Sequence, residues 1–519
     1  MGSTEKIKIK FGTDGWRAVI SEDFTFKNVA IVAQAISEWL MELPSLKQNS
    51  PSPCPPIYDS TGRRADSVYG ANGRFGVGKE KLNKCDCPPQ EGHPQRVAVG
   101  YDTRFLSDEY AQALSCVLAQ NGMEVYLSDT AIPTPALSFG VVKTKSLAGV
   151  MITASHNPGR FNGIKIKTAE GGAASRTITD KVEGYLFQTE VKKADFQEAL
   201  EAKKIVRHDY KIEYVKFIRN YLDLRRIKNA TFKVLTDVMH GSGDSLMADI
   251  LQGTKIRLSL MRNDINPIFD GGKPEPVVEY LAVILSRVRK EKFNLGLVLD
   301  GDADRIAAIA PGGEFISPQK ILGLLILHLV RNRGKKGGVV KTLCSTTMID
   351  KIARKLNLKL YETPVGFKYI SDLMVSEKIV AGGEEAGGMG LPDYIPERDG
   401  TLAGLLLLEM MVYQKKDIKK ILQEMEREFG RYYYERLDLQ LTSQEPVDIN
   451  RLKAIDTILG KKVVTVKDFD GVKLICEDES WLMFRPSGTE PLVRIYAEAS
   501  SLSKAQQLIR FGESFLKNK

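Results

Sequence analysis

Short aliphatic runs punctuate this chain, and between several of them the apolar residues recur every three to four positions. The first pattern reads as buried strand, the second as helix packed on one face. Residues 27–43 put Val29, Val32, Ile36 and Leu40 on one side and are expected to form a helix. After a long break, order resumes with strands at 97–101, 125–127 and 147–153. Between the first two, Ser107, Asp108 and Glu109 open a helix that stops at Gly122. Strand and helix alternate again from 232–238 to the run Leu295-Gly-Leu-Val-Leu299. A third round begins where Ser317 and Pro318 start a helix that ends near Gly334, ahead of strands at 339–343 and 379–381. Such alternation predicts parallel-rich α/β units. The last stretch differs. Strands at 481–484 and 493–497 flank Arg485-Pro-Ser-Gly-Thr-Glu-Pro491, and a helix follows, which suggests a smaller α+β unit.

Length agrees with this count, since 519 residues are too many for one core and suit roughly three to four domains. Residues 44–95 interrupt the pattern. They are rich in Pro, Gly, Ser, Asn and charge, and read as an insertion or mobile loop. Cys54, Cys85, Cys87 and His93 fall there, but their spacing does not match a zinc ribbon. Cys116, Cys344 and Cys476 lie in apolar segments and are expected as reduced core residues. A net charge of +9 is modest for this length, and no Lys/Arg block occurs, so nucleic acid is not implied. The surplus favours small anionic substrates. No run reaches the length of a membrane span; the best, 321–330, contains His328 and suits a buried helix. The N-terminus is charged and lacks a signal-like apolar core, so a cytoplasmic enzyme is expected.

Chemistry concentrates where apolar runs end. Leu299 runs into Asp300-Gly-Asp302-Ala-Asp304-Arg305. Alternate residues of an extended chain point the same way, so the three carboxylates can converge, and a cation between them would relieve their repulsion. Oxygen-only ligands suit Mg²⁺ first, then Ca²⁺ or Mn²⁺. An EF-hand is excluded, because its sixth and twelfth positions, Gly and Glu, are here Arg305 and Pro311. A solvated acidic turn is the plain alternative. A phosphatase loop of the haloacid-dehalogenase type is a functional one, although that family usually has Thr or Val where this chain has Asp304.

Ser155 follows another apolar run, and its hydroxyl is exposed at the strand end, either idle in an Asn-Pro turn or carrying a phosphoryl group. No G-x-S-x-G pattern is present to make it a hydrolase nucleophile. Lys165 could accept a proton or pair with phosphate. Arg485 to Pro491 reads as a phosphate cradle of backbone N–H groups, the Ser487 and Thr489 hydroxyls and the Arg485 guanidinium, with Arg494 nearby. Gly383-Glu384-Glu385-Ala386-Gly387 frames carboxylates that could accept sugar hydroxyls.

In order and spacing, Thr-Ala-Ser155-His-Asn-Pro, Asp300-Gly-Asp-Ala-Asp-Arg305, Gly383-Glu-Glu-Ala-Gly387 and Arg485-Pro-Ser-Gly-Thr-Glu-Pro491 resemble the motifs of the α-D-phosphohexomutases. This superfamily includes phosphoglucomutases and phosphomannomutases. The resemblance covers nearly everything except 44–95. It implies three similar α/β domains (1–204, 205–312, 313–432) and a smaller α+β C-terminal domain (433–519) around a central active-site cleft. Ser155 would be the phosphoserine, with Asp300, Asp302 and Asp304 binding Mg²⁺ together with its phosphate. Arg17 and Arg305 would steady the transferring group, with His156 and Lys165 beside it and Lys165 the better general base. Glu384 would hold sugar hydroxyls, Lys368 matches a lysine of the family's third domain and would bind substrate, and Arg485, Ser487, Gly488, Thr489 and Arg494 would grip the non-reacting phosphate.

The activity so implied interconverts hexose 1- and 6-phosphates through a hexose 1,6-bisphosphate, which also serves as activator. Glucose is the first expectation and mannose the next, with no nucleic-acid or membrane partner and a monomeric or homodimeric state. Phosphoglucosamine mutase and an aspartate-nucleophile phosphatase are the alternatives. The sugar loop departs from the family at one position: Ser is common where this chain has Ala386.

Overall fold

The structure is a computed structural model that describes residues 9–12, 14–46, 95–440, 448–486 and 492–517. Most of the 44–95 segment, including Cys54, Cys85, Cys87 and His93, lies outside the described residues, as do Ser487, Gly488 and Thr489.

Four sheets carry the chain. The first places Trp16–Val19, Phe161–Thr168, Ala148–Ile152, Arg96–Tyr101, Glu124–Ser128 and Ile205–His208 side by side. Its centre is parallel, as the alternation predicts, but Phe161–Thr168 and Trp16–Val19 join antiparallel. The chain leaving Ser155 turns straight back along the strand it came from, and a short return can only be antiparallel. The second sheet repeats the arrangement. Lys233–Asp237, Arg257–Met261 and Leu295–Leu299 are parallel, and Ile306–Ala310 and Glu314–Ile316 return antiparallel after the aspartates. The third contains Leu360–Thr363, Gly338–Thr342, Ile379–Gly383 and the short Met389–Gly390. Ile205–His208 pairs in the first sheet and Glu314–Ile316 in the second, so each sheet runs a few residues past the divisions expected at 204 and 312.

The fourth sheet is fully antiparallel and larger than expected. Besides Trp481–Pro486 and Leu492–Ala499 it holds Tyr433–Gln440, Val472–Cys476, Lys461–Lys467 and Thr457–Ile458, with helix Leu502–Lys517 packed against it. Two of the extra strands are half-exposed and read Lys-Lys-Val-Val-Thr-Val-Lys and Tyr-Tyr-Glu-Arg-Leu-Asp-Leu-Gln. Their charge hides them from a search for aliphatic runs.

Helix Gly400–Gln414 joins units. Leucines and methionines surround it, and it has no polar stripe because all but its last turn is buried. Gly404 lets it approach Ile306 and Leu297, so a helix of the third unit packs on the sheet of the second. One apolar core therefore runs from the first unit through Met247 and Leu297 to Leu406. Cys116, Cys344 and Cys476 are buried free thiols, as expected. No helix among the described residues is long and apolar enough to cross a membrane.

Candidate active site

Ala148–Ile152 is buried throughout and delivers Ser155 to a left-handed backbone, φ 52°, unusual for a side chain of this kind. The loop is held rather than free. Thr153 Oγ1 accepts from the Ser155 N–H at 2.9 Å and donates to Asp102 at 2.6 Å. The Arg104 guanidinium donates to the carbonyls of Ser155 and Asn157, both at 2.6 Å, of Pro158 at 2.9 Å and of Phe161 at 3.0 Å. Arg104 is itself paired with Asp102 at 3.2 Å and fully buried at its side chain. Such strain persists where the surroundings over-determine it. Reading the sequence assigns Asp102 and Arg104 no role. Their signal is a charged Asp-Thr-Arg following directly on the first core strand.

Asp300, Asp302 and Asp304 have no solvent exposure, and one oxygen from each lies within 4.8 Å of the others. The Ser155 hydroxyl donates to Asp300 at 2.8 Å, with His156 Nδ1 at 3.4 Å from the same oxygen. Lys165 Nζ donates to Asp302 at 2.7 Å and Asp304 at 2.8 Å, and lies 3.1 Å from Asp14. Thr134 Oγ1 donates to Asp302 at 2.5 Å, and the Thr134 N–H to the Asp302 carbonyl at 3.0 Å.

The titration behaviour follows. Burial and the neighbouring Asp304 and Asp302 push Asp300 well above the usual carboxylate range. Burial acts the same way on Asp302, but the Lys165 ammonium and its hydrogen bond outweigh it and hold this carboxyl low. Burial would lower Lys165; Asp14, Asp302 and Asp304 overcome it and keep the ammonium charged. Burial, then Arg305 and Arg17, hold His156 well below its ordinary value.

The residues fit a hard divalent ion. Their donors are all oxygen, and Asp302 Oδ1 and Asp304 Oδ1 are buried with no hydrogen-bond partner among the described residues. A cation already sits among them in the form of Lys165.

The third unit brings Glu384, at the end of Ile379–Gly383, against the same cluster. Its carrier is Arg398, buried, whose guanidinium reaches Asp14 at 2.5 Å, Asp304 at 2.7 Å and Glu384 at 3.2 Å. Gly388 is glycine because a Cβ there would collide with the Arg398 side chain. The sequence does not single out Arg398; Pro-Glu-Arg-Asp-Gly looks like an ordinary turn. Burial raises Glu384 above the usual range although Arg398 opposes it. Lys368, in the first turn of Phe367–Ser376, is buried and lowered by desolvation, then by Arg176. Ala386 is half-buried beside them.

Arg17 donates to Asn157 at 2.8 Å and lies 3.6 Å from Asp14. Trp16–Val19 is an edge strand, and its pairing fixes Arg17 opposite Gly163. Arg305 Nε stands 4.0 Å from Asp300 and 3.9 Å from Asp304. Arg485 and Arg494 are direct cross-strand partners in the fourth unit. The structure thus brings together Arg17, Ser155, His156, Lys165, the three aspartates, Arg305 and Glu384.

Four family models match the chain in the order of these units. They are the phosphoglucomutase/phosphomannomutase alpha/beta/alpha domains I at 85–193, II at 212–313 and III at 317–429, and the C-terminal domain at 441–510. The chain belongs to the α-D-phosphohexomutase superfamily. Among curated relatives, a probable phosphoglucosamine mutase of Thermococcus gammatolerans is 31% identical over 422 residues, covering 81% of this chain and 90% of the relative. A phosphoglucomutase/phosphomannomutase of Thermococcus kodakarensis is 29% identical over 421 residues, 81% of this chain and 89% of the relative. A crystal structure from Thermus thermophilus, provisionally named a phosphomannomutase, superposes with a TM-score of 0.80 at 30% identity, covering 98% of this chain and 99% of that one. Relatives of this phosphohexomutase thus carry different sugar names at similar identity.

Removing Arg398 takes a guanidinium from the buried Asp304 and Glu384 and the half-buried Asp14, and leaves Lys165 as the remaining close cation of Asp304 and Asp14. Arg398→Leu is expected to lower unfolding free energy by about 3–5 kcal/mol, measured by urea denaturation. Unchanged stability would mean that Lys165, solvation or protonation suffices for these carboxylates without this arginine.

Proposed function

We propose that the chain is a Mg²⁺-dependent mutase interconverting hexose 1-phosphate and hexose 6-phosphate, glucose first and mannose next, through a phosphorylated Ser155. The observation that carries this reading is the Ser155 hydroxyl, fixed by an over-determined loop and 2.8 Å from Asp300 in a buried aspartate cluster. Asp300, Asp302, Asp304 and the serine phosphate would hold the ion. Bound there, it would offset phosphate charge and favour in-line transfer.

The chain's own residues supply the rest. The free hydroxyl of a hexose monophosphate attacks the phosphorus on Ser155, the P–O bond to Oγ breaks, and the hydroxyl proton leaves to a base. The bisphosphate turns around, and Ser155 Oγ takes the other phosphate by the reverse step. Arg17 and Arg305, at the rim of the cluster, place guanidiniums beside the transferring group. Lys165 remains the candidate base. Paired as it is with Asp302 and Asp304, it is a donor, and it accepts a proton only after giving up one there. Glu384 and Lys368 face the sugar, and Arg485 and Arg494, with Ser487, Gly488 and Thr489, take the distal phosphate. Closure of the fourth unit would exclude water and protect phosphoserine from hydrolysis. The second reading, a phosphoglucosamine mutase, is favoured by relatives of that name. A hexose 1,6-bisphosphate would prime the serine in either case.

Three outcomes test this. Ser155→Ala is expected to abolish phosphate incorporation, read by intact-mass spectrometry, and to lower turnover by several orders of magnitude, on the scale of losing a covalent route. Near wild-type turnover would sink the assignment.

Asp302→Asn replaces one of three charged ligands with an amide. Mg²⁺ affinity, measured by calorimetry as well as by rate, is expected to fall; an unchanged affinity would mean that Asp302 serves Lys165 and Thr134 and not an ion.

Ala386 lacks the hydroxyl common in the family. A neutral hydrogen bond nets about 0.5–1.5 kcal/mol, so Ala386→Ser is expected to lower KM by no more than roughly tenfold. Glu384→Ala should damage glucose and mannose phosphates alike. With one donor fewer, wild-type discrimination between these epimers in kcat/KM is expected to be weak, and a preference above about a thousandfold would place selectivity elsewhere.

A further inference from the structure

Asp470 occupies the turn between Lys461–Lys467 and Val472–Cys476, on the border of the third and fourth units. Both of its carboxylate oxygens accept from Arg485 Nε, at 3.0 and 2.9 Å. Its Oδ2 also accepts from the backbone N–H of Val365 at 2.7 Å. Val365 belongs to the loop that leads directly to Lys368. One carboxylate therefore holds the arginine assigned to phosphate and the loop bearing the lysine assigned to the sugar, and those two groups come from different units.

The surroundings make this contact stiff. Gly471 has φ 90°, and a Cβ there would collide with the Phe484 carbonyl, so the turn lies against the backbone immediately before Arg485. Val365 and Phe469 pack on a buried seam of Leu343, Cys344, Trp481, Met483 and Tyr496 that both units share. Charge gives a further reason for the carboxylate. Arg485 and Arg494 are directly opposite across two strands, and like charges so placed repel. Asp470 offsets the first, and Asp438, 3.7 Å from Arg494 Nε, the second. Among the described residues Asp470 engages Arg485 at Nε, so a bidentate anion contact would fall to the two terminal nitrogens.

We propose that Asp470 is a positioning residue that aims Arg485 at the distal phosphate and keeps it in register with the Lys368 loop. The phosphate end and the hydroxyls of a bound hexose phosphate are then gripped at a fixed separation. This rests on the reading of Arg485 as a phosphate ligand in a hexose-phosphate mutase. An asparagine fills the same space, and its carbonyl oxygen can still accept from both Nε and the Val365 N–H as Oδ2 does here, but it has lost the charge and the second oxygen on Nε, so its hold on the guanidinium is weaker.

The test is steady-state kinetics with glucose 1-phosphate on Asp470→Asn, Asp470→Glu, Arg485→Lys and the double variant Asp470→Asn/Arg485→Lys. Asp470→Asn is expected to raise KM about tenfold or more with kcat within about threefold of wild type. Asp470→Glu keeps the charge but shifts the arginine by a methylene, and is expected to give an intermediate KM. The double variant should be no worse than Arg485→Lys alone, because coupled partners are not additive. Additive KM effects, or a drop in kcat at unchanged KM, overturn the proposal, since loosening the interface without misaiming the arginine removes active protein and leaves affinity intact. A raised KM in Arg485→Lys with wild-type KM in both Asp470 variants overturns the positioning role alone. An unchanged KM in Arg485→Lys overturns the phosphate-ligand reading as well.

Discussion

Three carboxylates buried together repel one another and have lost their water, a cost of several kcal/mol per ion unless positive charge is close. This chain meets that demand with Lys165 and Arg398, and the placement of these two side chains organises the molecule. Lys165 comes from the return strand of the first unit and reaches across to Asp302 and Asp304 of the second. Arg398 comes from the third and reaches Asp304 and Asp14. The unit that carries the aspartates adds Arg305, but at 3.9–4.0 Å it stands farther off than either of these two. The charge balance of the cluster therefore draws on three units at once.

The same logic explains why the cluster is ready for a metal ion. Lys165 satisfies one oxygen each of Asp302 and Asp304, and the second oxygens stay buried and unbonded among the described residues. An interior polar atom without a partner is rare in folded proteins and calls for a cause. Asp300 and Asp302 are driven in opposite directions, one by its acidic neighbours and the other by Lys165. Like carboxylates thus become unlike ones by position alone.

Much of this was legible in the residues. The strand-end positions of Ser155 and Asp300 follow from aliphatic runs that stop abruptly at polar residues, and the structure places both side chains in one hydrogen bond. What escaped reading shares a physical trait. Arg104, Asp14 and Arg398 act through partners distant in sequence or through backbone carbonyls, and a local pattern carries no trace of either. In the fourth unit, Tyr433–Gln440 and Lys461–Lys467 escaped because one face is wet, so they alternate where a core strand would run continuously apolar. Return strands were missed for a related reason: Phe161–Thr168 carries Lys165 and Lys167 inward, against the usual preference for apolar residues in a buried strand.

Arg398 and Asp399 are neighbours in sequence with divided allegiance. Arg398 points into the cleft, and Asp399 caps helix Gly400–Gln414 through the Leu402 N–H while accepting from Tyr214 of the second unit. The helix they begin is buried between two sheets. Domain families are often treated as interchangeable parts, and here the joints forbid it. A chimera taking its third unit from another member of the superfamily would import a helix shaped for a different second sheet, and with it an arginine aimed at a different Asp14. A third unit moved alone would have to bring its partners with it, whereas the fourth meets the third through an apolar seam and ion pairs such as Lys467–Glu362.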